Sequence, residues 1–235
     1  MKIGAIIQAR MGSERLPGKV LLEIAGKPLL AYLLESLLQC SQLAGIVVAT
    51  SAHPSDEAIA GFCAAAGVPC YRGPLHDVAG RFREVLEIYG FDGFVRICAD
   101  SPLLDHRLVD KAVALFHKLP VDMVTNTISR TYPRGQSVEV LCSEMFLKAY
   151  PAMTQPDEFE HVTPFFYRHQ ETYRIHAMHL PVDLSTIRFC VDTRDDLELC
   201  AQVIALMKKP HWEYTLSDVV ALSAQATRQL RREVA

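Results

Sequence analysis

The chain has 235 residues, half of them hydrophobic and 22% charged, with 12 Gly and 13 Pro, a composition that excludes intrinsic disorder, a fibrous repeat and a disulfide-stapled miniprotein. Lys and Arg number 24 against 27 Asp and Glu, so the net charge of −3 advertises neither nucleic acid nor an anionic membrane as a partner. A single domain over residues 1–235 is the default at this length, able to bury roughly 70% of the surface its unfolded form exposes.

The elements alternate from the start. Residues 2–8 form a continuous apolar run that predicts a buried strand, ended by a polar, Gly-containing stretch. A helix is expected over 28–39, with Pro28 at its first position and leucines giving a broad apolar face, then a strand over 45–50. Ser55 is the expected cap of a helix over 55–66, where Asp56 and Glu57 suit the helix dipole. Strands over 69–72 and 93–99 alternate with helices over 77–89 and 105–118. That rhythm implies parallel βαβ units and a mainly parallel central sheet covered on both faces: an α/β, Rossmann-like fold. Beyond residue 120 it loosens. Strands are expected over 122–126, 137–142 and 187–191, with an antiparallel one over 173–180, and helices over 143–150, 158–169, 194–208 and 216–230. The C-terminal portion is therefore expected to be partly antiparallel, with no Ser/Gly-rich linker to divide the chain.

Seven cysteines, at 40, 63, 70, 98, 142, 190 and 200, include no C-x-x-C pair and no His at zinc-ligand spacing. They read as buried thiols of a reducing compartment. The first apolar run is too short for a signal-peptide core, and no later run approaches the ~18 residues of a membrane span, so a soluble cytoplasmic protein is expected.

Positive charge is concentrated locally. Residues 1–30 carry Lys2, Arg10, Arg15, Lys19 and Lys27 against Glu14 and Glu23. The loop from Gln8 to Lys19 follows the first strand, at the edge where open α/β sheets bind ligands. Gly12 and Gly18 allow close backbone approach, Ser13 adds a hydroxyl, and Arg10, Arg15 and Lys19 bring three cations onto a short arc, a combination suited to a polyphosphate. It is not a Walker A loop, since five residues separate the glycines and Val20 stands where Ser or Thr would hold magnesium. Asp100 and Asp192 each follow an expected strand and precede a helix, so each could present a carboxylate at the same sheet edge or cap the helix that follows.

The segment IIQARMGSERLPGKVLL resembles the N-terminal signature of the cytidylyltransferases that make CMP-activated sugar acids, and is most similar to the branch named for spore-coat polysaccharide biosynthesis. Arg96 to Leu104, Val138-Glu139-Val140, Glu160 to Pro164 and Val191 to Leu197 resemble its later blocks in the same order. The resemblance implies a nucleotidyltransferase moving CMP from CTP to a sugar acid or similar acceptor, releasing pyrophosphate. It implies triphosphate binding by Arg10, Gly12, Ser13, Arg15 and Lys19, with Lys19, Asp100 and Asp192 as catalytic residues and Mg²⁺ held by the two aspartates. It places Arg72 at the cytosine, with Asp77 and Arg81 on the next helix, and Arg134, Glu139, Glu160 and His161 around the acceptor. A homodimer is also implied, with no nucleic-acid or membrane partner. Two positions depart from the pattern: Cys98 stands where known members usually carry Gln, and Ser137 where the branch often has an acidic residue. Two rivals are a glycosyltransferase of the same fold, which would show an Asp-x-Asp motif near Asp100, and a non-catalytic nucleotide-binding module. The first lacks its motif, and retention of Lys19 and both aspartates weighs against the second.

Overall fold

The structure, a computed structural model, describes residues 1–233. Strand β1 (Ile3–Gln8) is buried along five of its six residues, because parallel strands flank it on both sides and helices cover both faces. After a short hairpin of β2 (Glu23–Ile24) and β3 (Lys27–Pro28), which sequence periodicity did not anticipate, the chain enters α1 (Leu29–Leu37). There follow β4 (Gly45–Ser51), α2 (Glu57–Ala65), β5 (Cys70–Gly73), α3 (Val78–Tyr89), β6 (Gly93–Cys98) and α4 (His106–Lys118). The second half contains β7 (Met123–Thr125), β8 (Glu139–Cys142), α5 (Ser143–Ala149), α6 (Pro156–His161), α7 (Pro164–Arg168), β9 (Ile175–Ala177), α8 (Arg194–Ala205) and α9 (Leu216–Glu233).

Seven strands form one sheet in the order β5-β4-β1-β6-β8-β7-β9. All run parallel except β8, which is antiparallel to both β6 and β7. Alternation along β1 divides the core: Ile3, Ala5 and Ile7 meet leucines of α1 and the apolar faces of α2 and α4, while Ile6 meets Val78, Phe82 and Val85 of α3. Each buried Leu, Val or Phe contributes roughly 1.5–3 kcal/mol, so these two layers hold the sheet's C-terminal edge rigid beneath the loops that follow it. A third cluster joins α8 and α9 to Leu29 and Tyr32 of α1 and to Phe189 and Val191. No helix among the described residues is long and apolar enough to cross a membrane.

Several expectations are corrected. The strand expected to be antiparallel over 173–180 shortens to β9 and pairs parallel with β7, because β8 has already reversed direction beside it. Residues 187–191 form no strand; they make one isolated parallel bridge, Arg134 with Arg188, held by hydrogen bonds from the Arg134 N–H to the Ile187 carbonyl (2.9 Å) and from the Phe189 N–H to the Arg134 carbonyl (2.7 Å). The helix expected over 158–169 breaks between α6 and α7: Pro164 supplies no N–H to continue the ladder, and Val162 takes a positive φ of 70°. Ser55 does not cap α2; a short 3-10 turn at Pro54–Asp56 precedes that helix, and His53 accepts from the Ser55 N–H. Of the seven free cysteines, Cys63 and Cys200 are fully buried and the other five half-buried.

Candidate active site

The loop after β1 closes on itself. The Met11 carbonyl accepts from the N–H groups of Ser13 (2.9 Å) and Gly18 (2.8 Å), and the Met11 N–H donates to Asp56 (2.7 Å). Gly18 has φ of 71°, a left-handed conformation that favours glycine, and it aims the next residue, Lys19, into the site. Gly12 carries no such demand: it is exposed, a Cβ there would meet nothing, and it does not line the cleft. Asp56, read as a helix-dipole residue, is instead fully buried and also accepts from Ser51. Those hydrogen bonds outweigh the burial that pushes its carboxyl up, and leave it below the usual carboxylate range.

The loop borders a cleft of about 550 Å³ whose lining includes Arg10, Ser13, Arg15, Lys19, Asp100 and Asp192. At its centre the Lys19 ammonium donates to Asp100 and to Asp192, each at 2.7 Å, so the two accepting oxygens lie within twice that distance of each other. Burial pulls the Lys19 ammonium down, but Asp100 and then Asp192 override it and hold it above its ordinary value. Burial pushes Asp192 up, and Lys19 followed by Arg15 and Arg188 brings it below the usual carboxylate range. Neither aspartate caps a helix. Asp105 caps α4, accepting from the Arg107 N–H, and Thr193 with Asp196 forms a capping box on α8. The carboxylates thus stay free for cations, although Asp192 is brought to Asp100 by the bridge at Arg134 and by the Val191 N–H on the Asp100 carbonyl (2.8 Å), not by a strand.

The remaining candidates are only partly assembled. Arg15 reaches Asp192 at 3.2 Å, and Arg10 pairs with Glu160 at 2.7 Å; Glu160 and His161 line the same cleft as the phosphate-type loop. Arg134 lines an adjoining cavity of about 170 Å³ with Arg130, Ser137 and Arg188, and the two spaces share Arg96, Cys98, Asp100 and Asp192. Two residues turn away. Arg72 pairs with Glu57 and donates to the carbonyl of Ser51, folding back over the turn after β4 instead of lining the cleft. Glu139 lies opposite Arg96 in the β6–β8 register, is buried, and accepts from Arg96 at 2.5 Å and from the Tyr167 hydroxyl; it holds Arg96 and does not line either space. Burial and Glu139 raise the Tyr167 hydroxyl, which stays protonated as a donor.

Arg188, which no motif signals, contacts both Asp192 and Asp196. Arg130, likewise unmarked, donates to Ser137 at 3.0 Å and leaves Nη1 buried without a partner. Burial pushes the thiols of Cys98 and Cys190 up to about 11, so neither is a thiolate at neutral pH.

Residues 4–220 match the family described as Cytidylyltransferase. The chain is 30% identical over 200 residues, 82% of each chain, to the spore coat polysaccharide biosynthesis protein SpsF of Bacillus subtilis. Its structure is similar to that of a cytidylyltransferase from Leptospira borgpetersenii, with a TM-score of 0.91 and 28% identity, covering 97% of this chain and 96% of the other. It also shares the fold of a CMP:2-keto-3-deoxy-manno-octonic acid synthetase complexed with CTP, with a TM-score of 0.66 and 21% identity over 87% of this chain and 99% of that one.

Proposed function

The chain belongs to the cytidylyltransferase family and is a nucleotidyltransferase; from that premise we propose that it transfers CMP from CTP to a sugar acid or related anionic acceptor, in surface polysaccharide or glycoconjugate biosynthesis. The observation that carries this reading is the Lys19 ammonium bridging Asp100 and Asp192 in a cleft that Arg10, Ser13 and Arg15 also line. In the reaction an acceptor hydroxyl oxygen attacks the α-phosphorus of CTP, the bond from that phosphorus to the αβ-bridging oxygen breaks, pyrophosphate leaves, and the hydroxyl proton is lost. Positioning and charge neutralisation dominate such a step.

In this scheme Arg10, Arg15 and Lys19 neutralise phosphate oxygens and Ser13 donates to one. Asp100 and Asp192 would hold Mg²⁺. The donor set fits that ion: the two carboxylates already converge on one cation, and among the described residues no third His, Cys, Asp or Glu joins them, leaving room for phosphate oxygens and water. Bound magnesium supplies charge neutralisation and polarisation at the phosphate. Arg134 and Arg130 face the adjoining cavity, where Ser137 adds no negative charge, and this favours an acceptor carrying a carboxylate that a guanidinium can pair. Glu160 and His161 line the cleft beside Arg10, and their role is at the nucleotide end of the acceptor pocket.

Pyrophosphate release from CTP, UTP, ATP and GTP, measured with magnesium against a panel of sugar acids, tests the reading. Turnover is expected with CTP and an anionic acceptor, and Asp192→Asn should reduce it by orders of magnitude in a variant that still unfolds cooperatively. Equal or faster turnover with another triphosphate and a productive acceptor refutes cytosine selection.

A further inference from the structure

The cavity that adjoins the cleft holds more positive charge than the chain itself matches. Four arginines line it, with Asp100 and Asp192 on the side it shares with the cleft. Two of the four are answered from within: Arg96 by the buried Glu139, and Arg188 by Asp196 as well as Asp192. The two shared aspartates are matched by Lys19 and Arg15. Arg130 and Arg134 remain, and neither makes an ion pair among the described residues. Arg130 donates from Nη2 to the Ser137 hydroxyl at 3.0 Å, while its Nη1 is buried without a partner.

Burial lowers the Arg130 guanidinium below its ordinary value, and the neighbouring Arg134 lowers it further. Three groups oppose these effects without overcoming them: Glu139, which is committed to Arg96, and Tyr167 and Cys190, both protonated at neutral pH. Two like charges held together and partly out of water are costly unless a counter-charge joins them. The Ser137 oxygen accepts from Arg130, so its own proton is left to donate. Unmatched guanidinia, a buried idle donor and a hydroxyl proton facing one cavity are completed by negative charge from outside the chain.

The nucleotide does not supply that charge, because Arg130, Arg134 and Ser137 line the adjoining cavity and not the cleft beside Lys19. A single carboxylate answers one guanidinium and leaves the other unmatched. We propose that the acceptor brings two negative charges to Arg130 and Arg134, as a phosphate monoester or as a pair of carboxylates; this rests on the CTP reading above and narrows its anionic acceptor to a dianion. A planar guanidinium pairs two oxygens of either group, so both sources fit the same donors. The dianion is a recognition handle and is carried unchanged into the product. The attacking hydroxyl lies elsewhere on the acceptor, at the border with the cleft that Asp100 and Asp192 form.

The test is equilibrium binding of acetate, malonate and methyl phosphate to protein saturated with magnesium and a CTP analogue whose αβ-bridging oxygen is replaced by methylene, which fills the cleft without turning over. In the wild type malonate or methyl phosphate should bind about tenfold tighter than acetate or more, and the tighter of the two identifies the source. Arg130→Met, which removes one guanidinium, and Ser137→Asp, which matches it from within, should each abolish most of that preference. Both should bind the analogue as the wild type does. Equal wild-type affinity for acetate and the two dianions, or binding of none of them, overturns the proposal and leaves the CTP reading standing. A preference retained in both variants also overturns it, by putting the dianion elsewhere. A wild type that does not bind the analogue overturns the CTP reading and this inference with it.

Discussion

Removing the Lys19 ammonium leaves Asp100 and Asp192 facing one another with no cation between them. The Lys19 side chain is only 11% exposed and bonded to both carboxylates, so it contributes to stability as well as to the charge of the loop. Lys19→Ala should lower stability by about 1–3 kcal/mol, the cost of leaving the partly buried Asp100 unpaired while Asp192 keeps only Arg15 and Arg188. It should also weaken triphosphate binding several-fold. Because the exposed pair of carboxylates suits a hard cation, millimolar MgCl₂ should restore most of the lost stability in the variant and change the wild type less. Urea unfolding with and without magnesium checks this, and an equal gap in both conditions counts against the carboxylates as a cation site.

Gly135 acts on the site through an element. It has φ of 91°, and a Cβ there would lie 2.5 Å from the Cys190 nitrogen and 2.6 Å from the Phe189 carbonyl carbon. That close approach permits the bridge between Arg134 and Arg188 that carries the chain to Asp192. Gly135→Ala should therefore cost about 2–3 kcal/mol and depress turnover by displacing Asp192. Gly12→Ala, into open space, should change stability by less than about 0.5 kcal/mol. Chemical denaturation and pyrophosphate release of the two variants side by side decide it; equal behaviour would remove Gly135 from the account. The same scale shows why the second half of the chain reads poorly. Residues 187–191 have a strand's composition, but the backbone that bridges them lies at Arg134, more than fifty residues earlier, and offers only one bridge.

Across the whole molecule, carboxylates held below their ordinary range contribute to the acid limb of stability. Hydrogen bonds from Ser51 and Met11 hold Asp56 below the ordinary carboxylate range against the opposing effect of burial, and Lys19 does the same for Asp192. A folded value below the unfolded one contributes stability that is complete above about pH 4 and is lost as pH falls through the lowered folded value. Asp56→Asn should thus be less stable than the wild type at neutral pH, with the difference closing below about pH 4. Urea midpoints followed from neutral to acid pH measure it; a constant difference shows that the Asp56 charge contributes nothing.

What the sequence determined by itself is what short-range physics encodes. The apolar run of β1, the leucine face of α1 and the βα rhythm up to α4 specify a mainly parallel sheet through local periodicity, and the Arg10 to Lys19 loop falls at its ligand-binding edge by topology. The family is legible for the same reason, since its blocks are contiguous in the chain. Tertiary structure alone decided where side chains point. Arg72 is drawn to Glu57, Glu139 is set opposite Arg96 by the reversed strand β8, Arg81 is admitted beneath Gly73, and Asp192 meets Lys19 through a bridge at Arg134. Each of these depends on a partner in another element, and neither propensity nor spacing carries information about which charge or backbone beyond its own element a side chain will meet.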